Sequence, residues 1–101
     1  MDELVQFVAD RLTEEIEWER RAGVLLITHG VPTLGGDPVR AGEHVRFKVQ
    51  AAETRLALFD ETIRPYLGTA GPTGRIAEQQ LRLLAFVHGG DHEDYRNSWR
   101  P

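Results

Sequence analysis

Leu4, Val5, Val8, Leu12 and Ile16 recur at steps close to four, with the charged residues mainly opposite them. That spacing predicts an amphipathic helix over residues 2–21. Asp2 is placed to cap its N-terminus by accepting from free backbone N–H groups. Gly23 is the expected stop. Trp18 falls about 100° from the centre of the apolar stripe at 3.6 residues per turn. It is an edge residue lying on the core or a contact for a partner.

The pattern changes after Gly23. Val24-Leu25-Leu26-Ile27 is a short apolar run, and Thr28 to Gly36 is rich in glycine and proline. A lone strand needs a partner. The one candidate is Val45-Arg46-Phe47-Lys48-Val49, which alternates with period two. The same residues belong to a longer series: Val45, Val49, Ala52, Leu56, Phe59 and Ile63 step by 4, 3, 4, 3, 4. Six positions in heptad register outweigh three in alternation, so residues 38–64 are predicted as a central helix and residues 24–37 as a loop. Asp37-Pro38 supplies an N-cap and a first-turn proline. Pro65 marks the end, because it lacks an N–H and disfavours a helical Arg64.

Residues 67–74 read as a loop and residues 75–88 as a third helix with Ile76, Gln80, Leu83, Leu84 and Val87 on one face. Gly89-Gly90 end it. Asp91 then caps a short fourth helix over 92–99, on which Tyr95 and Trp99 share a face at i, i+4. The expected fold is all-α: one domain over residues 1–101, a small three-helix bundle with a short fourth C-terminal helix. The first and central helices run antiparallel across the loop, the third packs on both, and the C-terminal turn closes one end. The heptad seam is the bundle core. Alternatively, part of it, or Phe47 and Leu58 beside it, serves a homodimer.

A chain of 101 residues can bury a modest core without staples. With no cysteine it can have neither a disulfide nor a thiolate metal site. No apolar run approaches the ~20 residues of a membrane span. Met1-Asp2-Glu3 lacks the basic start of a secretory signal, so a cytoplasmic location is expected. Residues 1–23 hold seven acids against Arg11, Arg20 and Arg21, which accounts for the whole net charge of −4. Such a segment repels nucleic acid and attracts basic partners.

Candidate chemistry centres on histidine. His88 and His92 have helical ligand spacing, with Asp91, Glu93 and Asp94 as nearby oxygen donors. A metal site of His88, Asp91, His92 and Asp94 is the alternative to a glycine turn followed by an acidic helix cap. The Gly68–Arg75 loop lacks both the spacing and the lysine of a phosphate loop. A helix-turn-helix ending in Arg96, Asn97, Ser98 and Arg100 would lead with three carboxylates toward DNA, so nucleic acid is disfavoured. No nucleophile triad is visible, and no cofactor is indicated.

The opening Met1-Asp2-Glu3-Leu4-Val5-Gln6-Phe7, the central Asp37-Pro38-Val39-Arg40, and the closing Leu81-Arg82-Leu83-Leu84-Ala85 carry a resemblance together with the tail. The tail residues are Asp91-His92-Glu93-Asp94-Tyr95-Arg96 and Trp99-Arg100-Pro101. Together these stretches resemble a family of small uncharacterised proteins of actinobacteria and their phages. The resemblance implies such a source, which agrees with eleven of the twelve basic residues being arginine. It also implies a helix for residues 38–64, and it implies no activity. Many members carry cysteines between the second and third helices, where this chain has none.

The resulting expectation is a small interaction or regulatory protein that binds another protein or itself. Trp18, Tyr95, Arg96, Trp99 and Arg100 are its expected contacts, because these residue types tend to dominate interface energy.

Overall fold

A computed structural model describes residues 1–101 and contains helices and turns only. Helix α1 spans Asp2–Leu25, a π-helical stretch follows over Leu26–Gly30, and a short helix α2 covers Val31–Leu34. Helix α3 spans Pro38–Thr62 and α4 spans Pro72–Gly89. Single 3-10 turns lie at Arg64–Tyr66 and Asn97–Trp99. The all-α bundle of three long helices is as expected, and the fourth, C-terminal element is reduced from residues 92–99 to the 3-10 turn.

The predicted loop over 24–37 is mostly helix. Only Gly35, Gly36 and Asp37 lie outside regular structure, and the two glycines make the reversal with φ of 84° and 120°. Gly23 does not stop α1. It sits inside the helix and lets Val45 of α3 close against the backbone, since a Cβ there would stand 2.4 Å from the Val45 Cγ1. The helix survives Pro32 through a change of register. Val31 N–H donates to Leu26 O, five residues back, just before the residue that has no N–H to offer. Residues 2–34 therefore form one rod about 50 Å long at ~1.5 Å per residue, matching a molecule of 54 × 27 × 16 Å.

The α3 boundaries follow the sequence. The Asp37 side chain accepts from Val39 N–H at 2.9 Å, and the helix ends just before Pro65. Helix α4 begins three residues earlier than expected, with Pro72 in its first turn. Its buried face also differs: Ala77, Leu81 and Ala85 are buried, while Ile76, Leu83 and Val87 are exposed. Small side chains let α4 lie close on α1, and the bulky ones are turned outward.

Fourteen residues are buried, none of them polar or charged. The main core is thus small and sits at one end. It comprises Leu4, Phe7, Val8 and Leu12 of α1, Phe59 and Ile63 near the end of α3, and Ala77, Leu81 and Ala85 of α4. Helix α1 packs along both partners, whereas α3 and α4 make little direct contact. Of the predicted seam, Ala52, Phe59 and Ile63 are buried, and Val45, Val49 and Leu56 are half-buried. The hairpin of α1 and α3 continues well past the end of α4 as a two-helix arm. The radius of gyration is 16.8 Å, against about 13 Å for a compact chain of this length.

Candidate functional site

The five expected contact residues separate into two places. Tyr95 and Trp99 fold back on the core as its lid. The Phe7 ring stands 5.9 Å from Tyr95 and 5.1 Å from Trp99, and the two tail rings meet edge to face at 5.8 Å. Arg82 Nη1 holds the turn by donating to Ser98 O at 2.9 Å. Arg96 lies over the Trp99 ring and pairs with Glu3. The aromatic pair is therefore structural: it covers Phe7 and shares the core. Arg100 is exposed and makes no side-chain bond.

Trp18 lies elsewhere, beside the C-terminal end of α4. The α1 face under α4 runs Leu4, Phe7, Arg11, Glu15. Helix α4 stops at Gly89, where a Cβ would stand 2.6 Å from Phe7 Cζ. The absent side chain is what allows Phe7 to reach the α4 backbone. Beyond that point the same α1 face continues with Trp18, Ala22 and Leu25, and α4 does not reach it; Ala22 is half-buried toward α3. Trp18 is 64% and Leu25 59% exposed.

Two hollows mark this uncovered track. One, about 470 Å³, lies between Trp18, Glu15 and Arg55 and the end of α4 at His88 and Asp91. The second, about 130 Å³, is lined by Ala22, Gly23 and Leu26 from α1 and His44, Val45 and Lys48 from α3. Glu19 borders both. Together they trace a groove between α1 and α3, continuous with the seat that α4 occupies lower down. Phe47, 66% exposed, lies two residues past the Val45 that meets Gly23 and points away from the groove.

Ion pairs set the register of the arm. Glu15 accepts from Arg55 Nε at 3.2 Å, Glu19 faces Lys48 Nζ at 3.9 Å, and Arg20 faces Glu53 at 3.6 Å. All are partly solvated, so each contributes about 0–1 kcal/mol. Their arrangement fixes which residues meet more than it adds to stability. The second oxygen of Glu15 bonds His88 Nδ1, which ties the end of α4 to the same network. Arg11 lies over the Phe7 ring at 5.0 Å and pairs with Glu14 at 2.7 Å. Its Nε and Nη1 are buried without a protein acceptor.

The metal set His88, Asp91, His92 and Asp94 does not converge. His88 Nδ1 is taken by Glu15, and His92 Nδ1 accepts Asp94 N–H at 3.0 Å. Asp94 borders the tail lid, away from the groove that His88 and Asp91 line. No three His, Asp or Glu side chains are placed to hold a metal ion. The glycine turn after α4 separates residues that an unbroken helix would have aligned.

Charge divides along the rod. Residues 1–16 carry Asp2, Glu3, Asp10, Glu14 and Glu15 against Arg11, so −4. Residues 17–53, which make the arm, balance Glu17, Glu19, Asp37, Glu43 and Glu53 with Arg20, Arg21, Arg40, Arg46 and Lys48. The arm has no net charge, and no helix of the molecule is long and apolar enough to cross a membrane.

Reading residues 24–37 as a loop hides Leu26 as a groove residue, and the facing His44 and Lys48 with it; Leu25 lies beside Arg20, Arg21 and Val24 on another face of α1. The signal was present: Trp18, Ala22 and Leu25 at i, i+4, i+7 extend the helical spacing beyond Gly23. No family model, curated protein or solved structure matches this chain.

Proposed function

We propose that the chain is a small cytoplasmic protein-interaction module that receives a helical segment in the uncovered part of the α1–α3 groove. The observation that carries this reading is the apolar track Trp18–Ala22–Leu25. It continues the α1 face that seats α4 and, at Trp18 and Leu25, is left bare. An exposed apolar surface of this kind marks interaction sites in soluble domains, and a helix laid in a groove is a recurrent recognition mode. Tryptophan is the residue type most enriched at interface hot spots. Burying a leucine-sized side chain contributes roughly 1.5–3 kcal/mol, so Trp18 and Leu25 together are enough to anchor a helix. The neutral arm and the acidic first turns offer a phosphate backbone little. The likeness of the tail to small actinobacterial and actinophage proteins remains a proposal of kinship and adds no activity.

The test is a photo-crosslinking residue placed at Leu25, with one at Glu61 as control, in cells expressing the chain. The expected result is a discrete protein adduct from position 25 and none from 61, lost when Trp18→Asp is added. Equal background at both positions would remove the reading.

A further inference from the structure

Resting on that reading, we infer that the segment received on the track is a single helix, laid in line with α4, whose end over the hollow where α4 stops carries lysine or arginine. Three observations point to it.

The first is the line of the track. Phe7, Arg11, Trp18 and Leu25 follow one another at steps of 4, 7 and 7 residues, which keeps them within about 40° of one another around α1. Phe7 and Arg11 meet α4 at Gly89, where a Cβ would stand 2.6 Å from Phe7 Cζ and 3.1 Å from Arg11 Cγ. Trp18 and Leu25 therefore continue the line of α4 past its last turn. All four belong to the regular part of α1, which runs to Leu25 before the π-helical stretch begins. From Arg11 to Leu25 the track is about 21 Å long at ~1.5 Å per residue, room for a helix of roughly four turns. Its seat is continuous with one that already holds a helix.

The second is the charge at the near end. Glu14, Glu15, Glu19 and Asp91 line the hollow of about 470 Å³ together with Arg11 and Arg55, so its charge is −2 with the histidines neutral. Both arginines are engaged within the chain. Arg55 pairs with Glu15. Arg11 pairs with Glu14, and its Nε and Nη1 are closed to solvent, so they offer an anion no seat. Glu19 has only Lys48 at 3.9 Å, and Asp91 is exposed without an ion-pair partner. Asp91 also follows the C-terminal end of α4, where backbone carbonyls add partial negative charge. The one apolar wall is the Trp18 indole. Unneutralised carboxylates beside an exposed indole suit a lysine or arginine side chain, through ion pairing and cation–π attraction.

The third is a change of sign along the track. Its far end, at Val24 and Leu25, is flanked by Arg20 and Arg21. Arg20 faces Glu53 at 3.6 Å, and Arg21 is exposed. A uniformly basic helix is opposed there, and a uniformly acidic one is opposed at the hollow. The complementary occupant has apolar side chains against Trp18 and Leu25, basic residues in the turn over the hollow, and neutral or acidic residues beside Arg21.

Stapled helical peptides of about 16 residues test this. Each carries leucines along one face and arginines in one terminal turn, at either end, and each has a twin with glutamates in place of the arginines. Fluorescence anisotropy with the whole chain should show one arginine-ended peptide binding about tenfold more tightly than its twin at low salt. The preference should shrink between about 0.05 and 0.5 M salt. Asp91→Lys, at an exposed position without a partner, keeps the helical circular dichroism of the parent and should remove most of the preference. Trp18→Ala should weaken both twins, and Glu61→Gln should change neither. Equal binding of the twins, tighter binding of the glutamate-ended one, or no binding of either overturns the inference. If the photo-adduct at position 25 is still obtained in that case, the interaction reading stands and only the basic helix is lost. If no peptide binds and no adduct forms, both fall.

Discussion

Phe59 and Phe47 stand twelve residues apart on the same helix, each within a run that reads equally well as amphipathic. Phe59 is wholly buried and Phe47 is 66% exposed. The difference lies in the face of α3 that each occupies: Phe59 is in register with Ile63 on the face that meets α1, whereas Phe47, two residues past the Val45 that meets Gly23, points away from α1. Around Phe59, α4 supplies a third wall, and Leu4, Leu12, Ile63, Ala77 and Leu81 close on one another. Around Phe47 there is only the outer face of α3, and no other helix packs there to enclose the side chain. The 18 residues of α4 span about 27 Å of a rod of about 50 Å.

The contrast can be broken most directly at the two phenylalanines. Phe59→Ala should lower stability by about 3–5 kcal/mol, much of the ~5–15 kcal/mol available to a domain of this size. Phe47→Ala should change it by no more than about 0.5 kcal/mol. Urea unfolding followed by circular dichroism, at concentrations low enough to keep the chain monomeric, measures both. Similar losses at the two sites would mean that the arm is as closed as the packed end.

The two tryptophans sharpen it next. Trp99 shields Phe7 and Trp18 shields nothing. Trp99→Ala is expected to cost about 2–3 kcal/mol and Trp18→Ala about 0.5 kcal/mol or less. Each single-tryptophan variant also reports its surroundings. Emission from Trp99 should lie to the blue of emission from Trp18 and should move red on full unfolding. A red-shifted Trp99 in the intact chain would mean that the tail is not seated on Phe7.

The smallest effects have opposite signs. Gly89→Ala pushes a methyl into Phe7 and should destabilise by about 1–3 kcal/mol. Gly42, on the arm, has open space where its Cβ would be. Gly42→Ala should stabilise by about 0.5–1 kcal/mol through helix propensity and a less flexible unfolded chain. Denaturation midpoints of the two variants decide it, and a loss at Gly42 would show that the arm is packed where it is drawn bare.

Several elements of this contrast were legible in the residues. The stripe Leu4–Leu12–Ile16 and the series Ala52–Phe59–Ile63 locate two buried faces. Asp37-Pro38 and Pro65 bracket α3 to within a few residues. The angle of Trp18 alone makes it an edge residue or a partner contact. Two readings failed for the same reason, namely that local chemistry was taken as decisive where packing overrode it. Gly23 looked like a helix stop and serves as a point of approach for Val45. On α4 the larger side chains Ile76, Leu83 and Val87 looked like the core face. The alanines are buried instead, because a helix seated on Phe7 must come close. The glycine turn expected after α4 takes His92 out of the α4 register, and the alternative metal set does not converge.

What the amino-acid order determined by itself was the kind of element and much of its placement, because backbone hydrogen bonding, capping and the 3.6-residue period are short-range effects. What only the tertiary structure decided was which face each helix hides and where the third wall ends. Those depend on the distance between axes and on the relative lengths of α4 and the hairpin, quantities that no window of neighbouring residues contains.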